Sequence, residues 1–431
     1  MAGRSLARHR VVVVGAGFAG LRAARDLADV AVEVTIVDAR NHHTFQPLLY
    51  QVATAGLDAD DVCYATRGIF HRQSNARAIR AQVVGADLGA RTVELADGAV
   101  LAYDHLVLAA GGVTADFGVP GVLEHGFGLK SAADAVAIRT HVLERFERCE
   151  RDPSRIDDGE LTLVVAGGGP TGVEMAGGFA ELINHVLRRD FPSVDVNRAR
   201  VVLIEAADRL LGTFAPKLGR SAERKLGRIG VEVLLGTQVD RVTASSVVLA
   251  DGRTIDTGTL VWAAGIKANP LGAALGLEVD RGGRIVVDRD LRVASHPEIL
   301  VIGDLAAARD IDGSLLPQVA PAAIQAGAHA AKVIKAELRG GRPVGRFRYR
   351  DKGSMATIGR NSAVVELPSG QTVTGLAGWV AWLCLHLVML IGFRNRANVV
   401  VNWAWNYLTY DRASRLIIED RPLPPRVGGP G

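Results

Sequence analysis

Cysteine is scarce. The 431-residue chain has three, Cys63, Cys149 and Cys384, and none is near another. That spacing excludes a C-x-x-C dithiol, argues against a disulfide framework and points to a reducing compartment. A strong charge of either sign is also missing. Lys and Arg number 50 against 46 Asp and Glu, a formal +4, so no nucleic-acid partner is expected. The N-terminal M-A-G-R-S-L-A-R-H-R lacks the apolar core of a signal peptide.

Apolar residues and glycine are plentiful. At 48% hydrophobic and 22% charged, the chain can build two or three domains, each with a buried core. The 49 glycines follow no low-complexity period and suit turns. Two of these turns match. V-V-V-V-G-A-G-F-A-G-L-R at 11–22 and L-V-V-A-G-G-G-P-T-G-V-E at 163–174 both run strand, G-x-G-x-x-G, helix. A second landmark repeats with them. Leu95-Ala-Asp-Gly98 leads to Ala110-Gly111, and Leu249-Ala-Asp-Gly252 leads to Ala264-Gly265, thirteen residues after the Asp in each case. Two landmarks in matching order predict two homologous nucleotide-binding halves.

Each glycine has a physical role. Gly15 and Gly167 permit the tight turn. A side chain at Gly17 or Gly169 would block an approaching pyrophosphate. Gly20 and Gly172 let helix and strand pack closely, and the helix N-terminus offers N–H groups to the phosphates. Asp38 ends the next strand, 23 residues after Gly15, where it can accept hydrogen bonds from a ribose diol. Glu205 is its counterpart, but 38 residues after Gly167, with L-I-N-H-V-L-R-R-D-F as a helical extension between them. A carboxylate there repels a 2′-phosphate and predicts NADH over NADPH. Plain βα turns and solvated strand ends are the simpler alternatives. Two sites suit hydride transfer, with a resident flavin dinucleotide in one half and NADH in the other. Asp304, ending I-L-V-I-G-D, can bond ribityl hydroxyls. The helix from about Ala322 to Leu338, with Pro321 in its first turn, can face the flavin's pyrimidine edge. His42-His43 lacks ligand-spaced partners and reads as surface or flavin-adjacent polarity.

Together these residues resemble the type II NADH:quinone oxidoreductases of the two-dinucleotide-binding flavoprotein superfamily. The marks are F-Q-P-L-L-Y-Q-V-A-T at 45–54, A-G-G-G-P-T-G-V-E at 166–174, V-W-A-A-G-I at 261–266, G-D with A-A-I-Q at 303–325, and F-R-N-R…W-x-W-x-Y-x-T at 393–409. The resemblance implies an α/β fold with two Rossmann-like domains, for FAD and NADH, and a C-terminal membrane-associated helical segment. It also implies NADH oxidation by FAD and then reduction of a membrane quinone, ubiquinone or menaquinone, without proton pumping. The implied FAD site is Gly15, Gly17, Ala19, Gly20, Asp38, Ala110, Asp304 and the Val319-Ala320 backbone. The implied NADH site is Gly167, Gly169, Thr171, Gly172, Glu174, Glu205 and Gly265. Glu174 is expected to orient nicotinamide or pass a proton towards the quinone; a carboxylate that helps the helix dipole is the alternative. Gln325 and Lys352 are the expected quinone contacts. One departure stands out: where many members carry A-Q in this helix, this chain has Ala320-Pro321, which removes an amide from the implied quinone site.

The expected domains are 8–125 with 280–345 for FAD, 126–279 for NADH, and 346–431 for membrane anchoring and dimerisation. Gly375–Phe393 runs nineteen residues without Asp, Glu, Lys or Arg, which reaches the length of a span. The tryptophans, His386 and the flanking Arg394 and Arg396 favour a monotopic anchor in one leaflet over a true span. The resemblance places the enzyme on the cytoplasmic face of the cell inner membrane, as a homodimer. Two other classes stay open on sequence: a soluble FAD-dependent NADH oxidase or diaphorase, and a non-catalytic FAD/NADH-binding redox sensor. A sulfide:quinone reductase is disfavoured by the ungrouped cysteines.

Overall fold

The computed structural model describes residues 8–409, 412 and 414–417; the rest of the tail assigned to 346–431 lies outside the described residues. The chain forms two compact units. One comprises Met1–His43, Tyr64–Val113 and Ile266–Asp351; the other comprises Thr44–Cys63, Thr114–Gly265 and Lys352–Gly431. Composition places the breaks at 125/126, 279/280 and 345/346. Residues just after 113 gather with the second unit because they are tied to it: Ala115 N–H donates to Gly265 O at 3.1 Å, and Trp262 Nε1–H donates to Ala115 O at 2.7 Å.

In the first unit, β1 (His9–Val14) leads through α1 (Phe18–Asp26) to β2 (Val32–Asp38), and later to β3 (Ala76–Arg80) and β4 (His105–Leu108). The sheet order is β4-β1-β2-β3, all parallel, extended beyond β4 by His296–Val301 and an antiparallel edge piece, Arg292–Val293. The V-V-V-V of β1 is buried throughout, as a central parallel strand covered on both faces requires. The long helix Ala320–Leu338 packs on α1. The two backbones come close because Gly327 has no side chain; a Cβ there would lie 2.3 Å from Ala19 O.

The second unit repeats the plan. β5 (Thr162–Ala166), α2 (Pro170–Glu181), β6 (Arg200–Ile204), β7 (Val231–Leu234) and β8 (Thr259–Trp262) form a parallel sheet of order β7-β6-β5-β8. In both sheets the first strand of the motif therefore lies between the second and the fourth. In each unit an antiparallel meander precedes the fourth strand of the motif, and L-A-D-G forms its final turn. Gly98 and Gly252 sit at φ +82° and +88°, and their N–H groups donate to Leu95 and Leu249. The extra length before Glu205 is taken up by a longer helix, in which α2 continues through a π-helical turn, Leu182–Leu187, to Asp190, and by the connection that follows it to β6. Register is unaffected: Gly15 N–H donates to Val37 O and Gly167 N–H to Ile204 O, both at 2.8 Å.

The tail adds an antiparallel sheet, Ser354–Thr357, Ala363–Glu366 and Thr372–Thr374, then α3 (Gly375–Met389) and α4 (Phe393–Thr409). The apolar stretch is thus not one helix. Leu390 is extended, Gly392 takes φ +91°, and the Arg396 guanidinium donates to the carbonyls of Val388 and Leu390, both at 2.8 Å. The 15 residues of α3 span about 22 Å at about 1.5 Å per residue, short of a hydrocarbon core of roughly 30 Å. No helix among the described residues is long and apolar enough to cross a membrane.

Candidate active site

The first cradle lies where β1 ends. Gly15 holds φ +104°, and a Cβ on it would sit 2.3 Å from Ala109 O. Ala110 lies against the same glycine. A Cβ on Gly20 would lie 1.9 Å from Gly15 O, so α1 can leave the turn at this angle only with glycine there. Gly17 is different: a Cβ would meet nothing within 4 Å. It is the N-cap of α1, with no side chain capping the helix. That combination leaves open space in front of unpaired helix N–H groups, which suits a pyrophosphate. Asp38 does more than its strand-end position implied. Its Oδ2 accepts the Ala16 N–H at 2.6 Å and its Oδ1 the Arg40 N–H at 2.7 Å, which fixes the turn and leaves further lone pairs for a ribose.

Three other groups complete this cradle. Ala19 is buried and faces Gly303, which precedes half-buried Asp304. The Asp304 carboxylate lies near Gly112, at 3.5 Å from where a Cβ would stand. Val319 is the N-cap of the long helix, whose first residues Ala320 and Pro321 have no side-chain cap. His43, expected as surface or flavin-adjacent polarity, is buried beside this turn. Burial pushes its imidazole below the usual value, so the neutral ring donates Nδ1–H to Ala16 O at 3.0 Å, while its buried Nε2 has no partner among the described residues. A dinucleotide fits a site with an open glycine, two uncapped helix starts, a carboxylate and one orphaned ring nitrogen.

The second cradle reproduces the first. Gly167 holds φ +111°, and its Cβ would lie 2.5 Å from Ala263 O. A Cβ on Gly172 would lie 1.8 Å from Gly167 O, whereas Gly169, the uncapped N-cap of α2, again faces open space. Thr171 is exposed in the first turn. Glu205 Oε2 accepts the Gly168 N–H at 2.5 Å and Oε1 the Ala207 N–H at 2.7 Å. Despite its longer spacing, it occupies the same station as Asp38. Gly265 follows β8 and is covered by the ring of Phe117.

Glu174 lies on the buried side of α2. Its Oε1 accepts the Thr357 N–H at 3.2 Å. Burial pushes the carboxyl up to about 8, partly offset by that N–H, so it is largely protonated at pH 7. The Thr357 hydroxyl shares a 2.8 Å hydrogen bond with Tyr50 Oη, which accepts from Gln51 Nε2 at 3.0 Å; Gln51 Oε1 accepts the Trp403 indole N–H at 2.7 Å. Tyr50, Gln51 and Trp403 line a cleft of about 110 Å³, together with Glu181, Arg360 and Arg412. Arg412 pairs with Glu181 at 3.0 Å. Sequence marked F-Q-P-L-L-Y-Q only as a family pattern; the partner of its tyrosine is 307 residues away.

The other two expected quinone contacts fall one in each unit. Gln325 belongs to the first unit, and both ends of its amide engage one residue: Nε2 donates to Arg350 O at 2.9 Å and Oε1 accepts the Arg350 N–H at 3.0 Å. Lys352 belongs to the second unit and is exposed, five residues before Thr357.

The chain is similar to known proteins. The pyridine nucleotide-disulphide oxidoreductase family matches residues 9–327, and the NDH2 C-terminal domain matches 352–410. A Mycobacterium tuberculosis protein described as type II NADH:quinone oxidoreductase Ndh is 39% identical over 96% of this chain and 91% of its own length. The NdhA protein of the same organism, with the same description, is 40% identical over 95% and 89%. The structure of NDH2 from Plasmodium falciparum in complex with NADH superposes with a TM-score of 0.86 at 20% identity, over 96% of this chain and 100% of that one.

Proposed function

Because the chain belongs to the type II NADH:quinone oxidoreductase family, we propose that its two matching cradles divide the work of NADH:quinone oxidoreduction between a resident FAD and a visiting NADH. The observation that carries this reading is the duplication: two parallel sheets of one strand order, each ending in an open glycine before an uncapped helix. FAD, when bound, accepts a hydride from NADH and passes two electrons to a quinone. Gly15, Gly17, Ala19, Gly20, Asp38, Ala110, Asp304, Val319 and Ala320 hold FAD. Gly167, Gly169, Thr171, Gly172, Glu205 and Gly265 hold NADH, and the Glu205 carboxylate disfavours a 2′-phosphate.

The net reaction consumes one proton. Glu174, protonated at neutral pH and buried, is the residue to hold it; Gln325 and Lys352 are proposed as quinone contacts. Quinones live in lipid. The exposed apolar side chains of α3 and α4, among them Val388, Phe393, Val401, Trp405 and Leu408, with exposed Arg394 beside them, support a monotopic hold on one leaflet. The proposed setting is the cytoplasmic face of the inner membrane, as a homodimer.

The test is anaerobic. NADH should bleach the flavin of the purified protein, and ubiquinone or menaquinone analogues should restore its colour. Flavin absorbance that stays unchanged after NADH would remove the reading.

A further inference from the structure

Phe117 is held in an unusual way. It takes φ +52°, in the left-handed region, where a bulky residue is an outlier. The residue is 67% exposed, so burial does not account for the conformation. The loop around it is fixed from both sides. Ala115 is bonded to β8 through Gly265 O and Trp262 Nε1, and Val119 N–H closes back on Asp116 O at 3.0 Å. The tip of the ring presses on Gly265: a Cβ there would stand 2.7 Å from Phe117 Cζ. Backbone strain that the surroundings over-determine in this way gathers at ligand clamps and active sites.

Its position says which ligand. The order β7-β6-β5-β8 puts the glycine turn of β5 between two neighbours. On the β6 side stands Glu205, the acid for the adenosine ribose. On the β8 side stand Ala263, which closes on Gly167, and then Gly265 under Phe117. A dinucleotide whose pyrophosphate rests on the turn and whose adenosine reaches Glu205 must send its other half over the end of β8. That half ends in a nearly flat dihydropyridine ring.

We propose that Phe117 is a nicotinamide-binding residue, its exposed ring lying against the nicotinamide half of NADH, with Gly265 kept free of a side chain so that the ring can sit there. The proposal rests on the reading that the second unit binds NADH. It assigns Phe117 the task of setting where the hydride-bearing ring lies, separate from the grip on the pyrophosphate and adenosine. Packing of one face of that ring on the phenyl ring gives the expected scale, about a three- to tenfold effect on affinity.

The experiment uses the flavin-loaded protein and two probes titrated by calorimetry. Tetrahydro-NADH carries the pyridine-derived ring but donates no hydride; ADP-ribose lacks that ring. F117L should raise the Kd for tetrahydro-NADH about three- to tenfold and leave that for ADP-ribose unchanged. F117Y should restore the first value. F117G removes both ring and strain; it should melt no lower than the parent and show the same selective loss. In stopped-flow mixing, F117L should slow flavin bleaching by NADH while leaving reoxidation by a quinone analogue untouched. Equal losses for both probes, or none for tetrahydro-NADH, would overturn the role of Phe117. Failure of ADP-ribose to compete with tetrahydro-NADH on the parent protein would instead bring down the NADH reading of the unit, and the proposal with it.

Discussion

Glu174 and Thr357, 183 residues apart, meet through a backbone N–H that points at a buried carboxyl. Burial dominates the chemistry of that carboxyl, and the hydrogen bonds that oppose it are the weaker influence.

The sign of the resulting pH dependence is fixed. The native carboxyl titrates near 8 and its ordinary value is 4.5. Below 4.5 both native and unfolded chains carry the proton, and the group takes nothing from stability. As pH rises from there to 8, the unfolded chain ionises and the native one resists, so stability falls. Glu174→Gln removes this loss. The variant should gain on the parent between pH 5 and 8, by a few kcal/mol at most, read as melting temperature against pH. Its turnover with quinone should fall roughly tenfold or more. Parallel melting curves across that range would contradict the assignment.

The glycines of the first cradle should separate by role. Gly20→Ala drives a methyl into the Gly15 carbonyl and should cost on the order of 3 kcal/mol or prevent folding. Gly17→Ala has room and should fold, yet lose flavin. Circular dichroism and the ratio of flavin to protein absorbance distinguish the two.

Glu205 holds the N–H groups of Gly168 and Ala207 as well as its proposed ribose. Glu205→Gln should lower kcat/KM for NADH about tenfold and lower stability by about 1–2 kcal/mol. The preference for NADH over NADPH should narrow. Steady-state kinetics with both nucleotides provide the check.

Arg412 and Glu181 form a mostly buried pair, and Arg412 also donates to Thr54 O at 2.5 Å. Arg412→Met strands the carboxylate and should cost about 3 kcal/mol. The double variant with Glu181→Gln should recover part of that. Chemical denaturation of the four proteins gives the coupling.

Local signals were readable in the sequence. The glycine turns, the two L-A-D-G hairpins and the long helix, expected from about Ala322 and found from Ala320, rest on nearest-neighbour geometry. The acids at 38 and 205 were readable as strand ends. Their bonds to the turn N–H groups were not, because a backbone acceptor leaves no mark in residue type. The F-R-N-R pattern divides in the same manner. Its apolar surroundings are plain in the sequence, but only the fold shows that Asn395 Nδ2 donates to Asp60, Asp61 and Cys63 carbonyls and that Arg396 closes α3. Tyr50, Thr357, Glu181 and Arg412 depend on partners hundreds of residues away. Phe117 was hidden for another reason: phenylalanine gives no sign of a left-handed backbone.

The helix that runs on past α2 has a consequence for the second cradle. Its π-wound turn and the connection after it carry the additional residues outside the sheet, and the strand that follows enters at the same rung as its counterpart. The acid that closes the turn therefore arrives at the same place in both halves, although the second takes a longer route to it.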